Sequence, residues 1–418
     1  MRIAIIGTLD TKGHEVRFVR DTIAALGHET LVLDPGTLGQ PAIPADVSRT
    51  EIARAAGWEL PDLLATRDKA LIQSTMTNGL VSTVTRLYQQ GAFQGVIAVG
   101  GAQGTAIATA AMRALPVGVP KFMVSTVACG KTTFGPYVGT KDIAMLHSVA
   151  DISGLNRITR RLLAQAARAV VAMAAEPQAL EPTGQELVAI TQAGITTPGV
   201  MAVKERLEAL GFEVVAFHCN GIGGQAMEEL ISQGVIRGLI DFSPHEITDL
   251  LFGGLMPAAP ERMKAAGLMG IPQVVVPGCT DIRLHGVGDE LPPEVRGRAS
   301  IRHSPTHTHV RTTPEEMEQV AHFIATRLNE GHGPRASVIP LRGYSMLNKQ
   351  GHPLYDEPAN MAYVLTMRRE LAPEVRQVEV DAHINDPEFA DVVVETFMSL
   401  RREAGNAAAP PATRPQEI

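Results

Sequence analysis

The chain has 418 residues, of which 45% are hydrophobic and 4% aromatic, and a formal charge of −7. That length accommodates two globular domains, and with no basic block among its charges a broad nucleic-acid-binding face is excluded. No apolar run reaches the ~18 residues of a membrane span, no basic-then-apolar leader precedes the first strand, and Cys129, Cys219 and Cys279 are too scattered for a CxxC pair or a disulfide framework, so a reducing cytoplasm is the expected compartment.

The all-apolar run Ile3–Gly7 predicts a buried parallel strand. A helix over His14–Leu26 stops at Gly27, and Leu31–Leu33 forms the second strand. Gly36–Val47, with its prolines and glycines, reads as an extended loop before helices at Ser48–Ala56 and Lys69–Gln90. Gly95–Val99 is a third strand, Ala106–Leu115 a helix, Lys121–Val124 a strand and Leu155–Ala174 a long helix. Glu176–Gly184, holding Pro177 and Pro182, is the linker candidate, so domains over residues 1–178 and 179–403 are expected, with an Ala/Pro-rich disordered tail over 404–418. Beyond the linker, strands fall at Leu187–Ile190, Val214–Phe217, Val235–Asp241, Gln273–Val276, Ala336–Leu341 and Gln377–Val380. Helices fall at Gln225–Gln233, from about Pro244, and at Pro314–Leu328, Met361–Leu371 and Ala390–Arg401, while Cys279–Thr313 reads as a histidine-rich loop.

The two halves repeat one pattern. Ile3–Gly7, a turn at Asp10–Gly13, a helix, Ala25-Leu26-Gly27 and Leu31–Asp34 match Leu187–Ile190, a turn at Thr196–Gly199, a helix, Ala209-Leu210-Gly211 and Val214–Phe217. The fold class expected is therefore α/β, two Rossmann-like domains with mainly parallel sheets arising by internal duplication, and a ligand cleft between them.

Glycines at the ends of strands suggest where a ligand sits. Val99-Gly100-Gly101-Ala102-Gln103-Gly104-Thr105 links a buried strand to a helix, where close backbone approach and free helix amides suit a phosphate. The alternative is a tight turn needing glycine for geometry alone. The pattern is not GxGxxG, so no dinucleotide is specified. Thr8, Asp10, Thr11 and Lys12 after the first strand offer phosphate and ribose partners, or an ordinary helix cap. Ser125-Thr126 opens a third loop at the same edge, and Gly130-Lys131-Thr132 makes a near-Walker stretch that lacks the first glycine. In the second half, Gly194–Thr197 and His218–Gln225 correspond to these loops and predict a second anion-friendly crevice.

Asp241 ends a strand and His245 starts a helix, so both are candidate acid–base groups. Ser243, Pro244 and Glu246 fit a capping box, which assigns Glu246 a structural role. The histidine-rich segment adds Asp281, His285, His303, His307 and His309. Spacing His303 to His307 by four and His307 to His309 by two can chelate a metal, but without HExxH or CxxC polar lining is the reading retained, and no metal site is assigned. Asp381, His383, Asn385 and Asp386 cap the last helix or close the cleft. No nucleophile elbow, kinase signature or catalytic triad is present.

The stretches GTLDTKG, VGGAQGT, STVACG, FHCNGIGGQAMEEL, DFSPHEITDLLFGG and VDAHINDPEFA, spread over roughly residues 1–400, resemble an uncharacterised family of microbial proteins. That family is related to the N-terminal ATP-binding domain of a plant tobamovirus-resistance protein. The resemblance implies two Rossmann-like domains, ATP binding and self-association as a homodimer or larger homo-oligomer. The antiviral activity of the plant relative is not transferred. The expectation is therefore an ATP-binding protein, with Mg²⁺ as an optional companion, whose phosphates lie on Thr8–Lys12, Gly100–Thr105 and Ser125-Thr126. The alternative is a small-molecule enzyme working through Asp241, His245, Asp281 and His303, with ATP as an optional co-substrate.

Overall fold

The computed structural model describes residues 1–129, 135–175, 184–288 and 291–408. The chain divides into two compact units, Met1–Glu181 and Pro182–Ile418. Gly130–Thr133 of the near-Walker stretch and most of the expected linker lie outside the described residues.

The first unit runs β1 (Arg2–Ile6), α1 (Leu9–Ala25), β2 (Glu29–Leu33), α2 (Arg49–Ala55), α3 (Leu60–Ala65), α4 (Lys69–Gln89), β3 (Gly95–Gly100), α5 (Ala102–Arg113), β4 (Lys121–Ser125), α6 (Gly135–Val138), β5 (Ala144–His147) and α7 (Arg157–Ala175). Its strands pair in parallel in the order β2-β1-β3-β4-β5. The period-2 alternation of a strand divides β1 between two cores. Ile3 and Ile5 pack with Val16 and Val19 of α1 and Leu163 and Val170 of α7. Ala4 and Ile6 pack on the other face with Met76 and Leu80 of α4 and Ala108 and Met112 of α5. A sheet covered on both faces needs apolar residues at successive strand positions, as in Ile3–Ile6 of β1 and throughout β3.

Helix packing around α4 depends on Gly79. A Cβ at this position would press into the Ile52 carbonyl of α2. Gly79→Ala is expected to lower stability by about 1–3 kcal/mol in denaturant unfolding, since backbone cannot yield as a flexible side chain does.

The second unit runs β6 (Leu187–Gln192), α8 (Thr197–Ala209), β7 (Glu213–His218), α9 (Ile222–Ser232), β8 (Gly238–Asp241), α10 (Glu246–Phe252), α11 (Ala265–Met269), β9 (Gln273–Val275), β10 (Ile282–His285), β11 (Ser300–Arg302), β12 (Thr308–Arg311), α12 (Pro314–Glu330), β13 (Arg335–Pro340), α13 (Glu357–Glu370), β14 (Arg376–Val380) and α14 (Pro387–Ala408). Its main sheet is parallel in the order β7-β6-β8-β9-β13-β14. Reading each sheet from its second strand gives the same path, second-first-third-fourth-fifth, which is the topology a duplication leaves behind. Val188 and Ile190 pack under α8 and α14, whereas Ala189 faces Met227 and Ile231 of α9.

Three expectations are corrected. The segment Cys279–Thr313 is not simply loop, because β10, β12 and β11 form an antiparallel sheet in that order. Helix α1 begins at Leu9 instead of His14, so Asp10, Thr11 and Lys12 occupy its first turn. Helix α14 continues through Ala408, so the first residues of the expected disordered tail are helical. Among the described residues no helix is long and apolar enough to cross a membrane.

Candidate functional site

In an open parallel sheet, neighbouring strands whose connections leave in opposite directions open a crevice at their carboxyl ends. That switch point falls between β1 and β3 in the first unit and between β6 and β8 in the second, and each is bordered by a cavity.

The first cavity, of about 360 Å³, is lined by Thr8, Gln103 and Gly104 at the strand ends, by Lys69, and by the apolar side chains of Leu64, Ile72, Met76 and Ile107. Helices α1 and α5 both start at this edge, and neither N-cap, Thr8 or Gly101, caps a backbone amide of its helix through a side chain, although Asp34 Oδ1 accepts from the Leu9 amide of α1 at 2.9 Å. Helix N-termini leave amides without intrahelical partners and carry positive potential. The glycines of the loop divide by cause. A Cβ on Gly100 would lie 2.9 Å from the Gly104 backbone, so packing of α5 on β3 requires that glycine. At Gly101 the nearest atom to such a Cβ is Thr126 Oγ1 at 3.7 Å, and at Gly104 it is the Val99 carbonyl at 3.9 Å. Local packing leaves room for a side chain at both.

Seven residues expected to touch the phosphates have partners within the protein. Thr105 and Ser125 are fully buried and hydrogen-bond each other at 2.6 Å, tying α5 to β4. Asp10 Oδ2 accepts from the Leu38 amide at 2.7 Å and the Gly39 amide at 3.3 Å. Lys12 donates to the Ile152 carbonyl. Thr8 and Thr11 pair through their hydroxyls at 2.8 Å, and Thr126 donates its amide to the Gly100 carbonyl at 3.3 Å. Lys69, Gln103 and the apolar wall from α3 and α4 were missed, although Gln103 stands inside the glycine loop itself.

The second cavity, of about 260 Å³, is lined by Ala193, Gly194 and Ile195 after β6, by His218, Cys219 and His245, and by Met256, Cys279, Ile282 and Leu284. His303, His307 and His309 complete it from the β11–β12 hairpin. The hairpin closes by a 2.9 Å bond from the His303 amide to the His307 carbonyl. His307 and His309 share a strand face by their spacing of two, and the His303 and His309 rings stack with centroids 4.4 Å apart and planes 16° from parallel. Burial, together with the neighbouring imidazoles of His303, His245 and His307, drives the His309 pKa down to about 3, so its ring is neutral at physiological pH. Its Nδ1 is buried without a hydrogen-bond partner among the described residues. His245 Nδ1 faces the Cys219 carbonyl at 3.1 Å and therefore carries the proton, and its Nε2 lies 3.8 Å from Asp249 Oδ2. Cys279 adopts φ +60°, a left-handed conformation that costs a non-glycine residue energy, and burial pushes its thiol pKa up. Among the described residues no three His, Cys, Asp or Glu side chains converge so as to hold a metal ion.

Of the acid–base candidates, His245 and His303 line this cavity and Asp241 and Asp281 do not. Asp241 is fully buried and receives both terminal nitrogens of Arg262, at 2.7 and 2.8 Å, and the Thr191 hydroxyl at 2.8 Å. Arg262 also donates to Glu246 at 2.5 Å and Glu228 at 3.1 Å. Glu246 accepts from the Gly221 amide as well, so its structural role is that of an ion-pair partner. The expected capping box is absent: His245 occupies the N-cap of α10, and the Ser243 hydroxyl pairs with that of Thr196 at 2.7 Å. Asp281 is buried, accepts from Ser345 at 2.7 Å, and has its carboxyl pKa raised by burial. Asp381 is bridged to Arg342 at 2.7 Å, while Asp386 caps the turn into α14 by accepting from the His383 amide at 2.8 Å.

Comparison with known proteins follows from the same two-part layout. The N-terminal domain of "Uncharacterised protein family (UPF0261)" matches residues 1–179, and its C-terminal domain matches residues 185–401. A UPF0261 protein of Clostridium tetani is 40% identical over 96% of this chain and 98% of its own. The ToMV susceptible protein tm-1(GCR26) of Solanum lycopersicum is 31% identical over 97% of this chain, which spans 56% of the tomato protein. Among solved structures, the glycosyltransferase VinC in complex with DTDP matches at 12% identity and a TM-score of 0.22, covering 97% of this chain and 98% of that one, a likeness too remote to bear on function.

Proposed function

The chain belongs to the uncharacterised protein family UPF0261, and within that family we propose that it is a nucleotide-binding protein whose first unit holds ATP at the β1/β3 switch point. One observation carries the reading: a cavity of about 360 Å³ meets the uncapped start of α5 at Gly101–Gly104, where two glycines leave room that packing does not explain. In this proposal the amides at the start of α5 face the phosphates, with Thr8 and Gln103 as polar partners and Lys69 as the nearby cation. Leu64, Ile72, Met76 and Ile107 supply an apolar wall suited to a base. Asp10, Lys12, Thr105 and Ser125 serve as positioning residues, because they fix the loops and helices around the crevice. Mg²⁺ is an optional companion of the phosphates. A cytoplasmic setting and a homo-oligomeric assembly complete the proposal, the first supported by the scattered thiols and the second by the family resemblance.

Gly101→Val tests the placement. The added Cβ lies at an ordinary van der Waals distance from its nearest neighbour, 3.7 Å from Thr126 Oγ1, so the unliganded variant should unfold close to the wild-type midpoint. Its affinity for Mg-ATP, measured by calorimetric titration, should fall at least tenfold, ~1.4 kcal/mol. Unchanged affinity in the folded variant would remove the phosphates from this loop.

A further inference from the structure

The second cavity supplies a site that the nucleotide proposal leaves unused. We infer that the histidine-lined cavity of the second unit binds a small organic carboxylate, held between the N-terminal end of α8 and the imidazole of His309. The inference does not depend on the nucleotide reading.

Four observations converge on it. The cavity lies at the β6/β8 switch point, the place where an open parallel sheet receives its ligands. Gly194 and Ile195 line it just before α8, a helix of 13 residues whose first amides are already bonded, Thr197 to the Gly194 carbonyl and Gly199 to Asn385 Oδ1 at 3.1 Å, so that side contributes the positive end of the helix dipole and no free amide of α8. His309, 6% exposed, lines the cavity from the opposite sheet, and its Nδ1 has no partner among the described residues. A buried polar nitrogen left unpaired is costly, and an acceptor oxygen in the cavity offsets that cost. A neutral imidazole supplies one N–H donor and one acceptor, which suits a carboxylate or an adjacent carbonyl.

The composition of the walls selects the class. Among the described residues no Asp or Glu lines the cavity, which disfavours a cation, and no Lys or Arg lines it, which disfavours a phosphate dianion. Met256, Ile282 and Leu284 provide an apolar surface for a carbon skeleton. A cavity of about 260 Å³ has room for a metabolite of a few carbons.

The test is calorimetric titration of the full chain with acetate, pyruvate, malate, 2-oxoglutarate and inorganic phosphate, each also run with saturating ATP. At least one carboxylate should bind below 10 mM at about 1:1, inorganic phosphate should not, and ATP should not displace the carboxylate. His309→Phe keeps an aromatic ring for the stack with His303 and should weaken carboxylate binding at least tenfold while leaving ATP binding unchanged. Gly194→Val is the second variant: a Cβ there meets no atom within 4 Å, so it folds and narrows the cavity, with the same loss expected. Binding of phosphate without any carboxylate, no carboxylate binding at all, or wild-type carboxylate affinity in both folded variants overturns the inference. Loss of ATP binding alone bears on the first unit and leaves this site standing.

Discussion

Replacing Arg262 with methionine should lower the stability of the second unit by about 3–5 kcal/mol, the range for removing one partner of a buried ion network. The guanidinium is 1% exposed and serves Asp241, Glu246 and Glu228 together. Its removal strands three carboxylates in a region where two of them are fully buried. Burial already pushes the Glu228 pKa up despite the nearby guanidinium, and without Arg262 the Glu228 carboxylate should take up a proton more readily. The variant's loss should therefore shrink at acid pH, since protonation removes the uncompensated charge. Denaturant unfolding at pH 7 and pH 5 checks both parts. A loss below 1 kcal/mol at pH 7 would show that the network contributes little. The same geometry changes what Asp241→Asn is expected to do. Its main effect should be on stability, because Asp241 faces Arg262 and Thr191, and activity lost in that variant should not be read as loss of an acid–base group.

The second large effect is an acid limb owed to His309. Its folded pKa of about 3 lies below the 6.5 of an ordinary imidazole because burial penalises the charged ring. Between those values the unfolded chain binds a proton that the folded chain refuses. Stability is fully present above pH 6.5 and is lost as pH falls toward 3, at up to about 1.4 kcal/mol per pH unit. Glu228 and Asp281 act in the opposite sense, because their raised pKa values let the folded chain take up protons first. The contribution of His309 is therefore read as the difference between wild type and His309→Phe, measured by urea unfolding from pH 7 to pH 4. That difference should be constant above pH 6.5 and drift in favour of the variant below it. A difference independent of pH would mean that the ring binds its proton equally readily in the folded and unfolded chains, contradicting the lowered pKa.

The sequence reveals most of the architecture because apolar content and glycine punctuation are local signals. Ile3–Gly7 and Gly95–Val99 are apolar at successive positions, and only a strand buried on both faces requires that. The repeated Ala-Leu-Gly helix stops at Gly27 and Gly211 marked two copies of one unit, and both sheets follow the corresponding path. The β10–β12–β11 sheet was not legible. Its strands are three or four residues long and include His285, Arg302 and Arg311, so no apolar alternation distinguishes them from loop. A spacing of two between His307 and His309 was the available clue, being the period of a strand face.

The site was less legible than the fold for a related reason. Roles of polar residues are set by partners distant in sequence. Thr105 meets Ser125 across 20 positions, and Asp241 meets Arg262 across 21. Arg262 itself stands in Glu261-Arg262-Met263-Lys264, which reads as a solvated charged surface. Tertiary packing instead places it among the most buried large side chains. His245 was singled out because a strand end and a helix start mark the carboxyl edge of a parallel sheet, and His303 and His309 because they cluster in the histidine-rich segment, whereas Cys279 joins them as a lining residue only through the tertiary fold.

The most direct measurement is thermal unfolding of the full chain with Mg-ATP, ADP, AMP and NAD, alongside the Gly101→Val variant. A ligand at 100 times its Kd adds about 2.7 kcal/mol to the stability of the state that binds it. The account predicts a raised midpoint with Mg-ATP that Gly101→Val abolishes while its unliganded midpoint stays near wild type. No shift with any nucleotide, or an equal shift in wild type and variant, would contradict it.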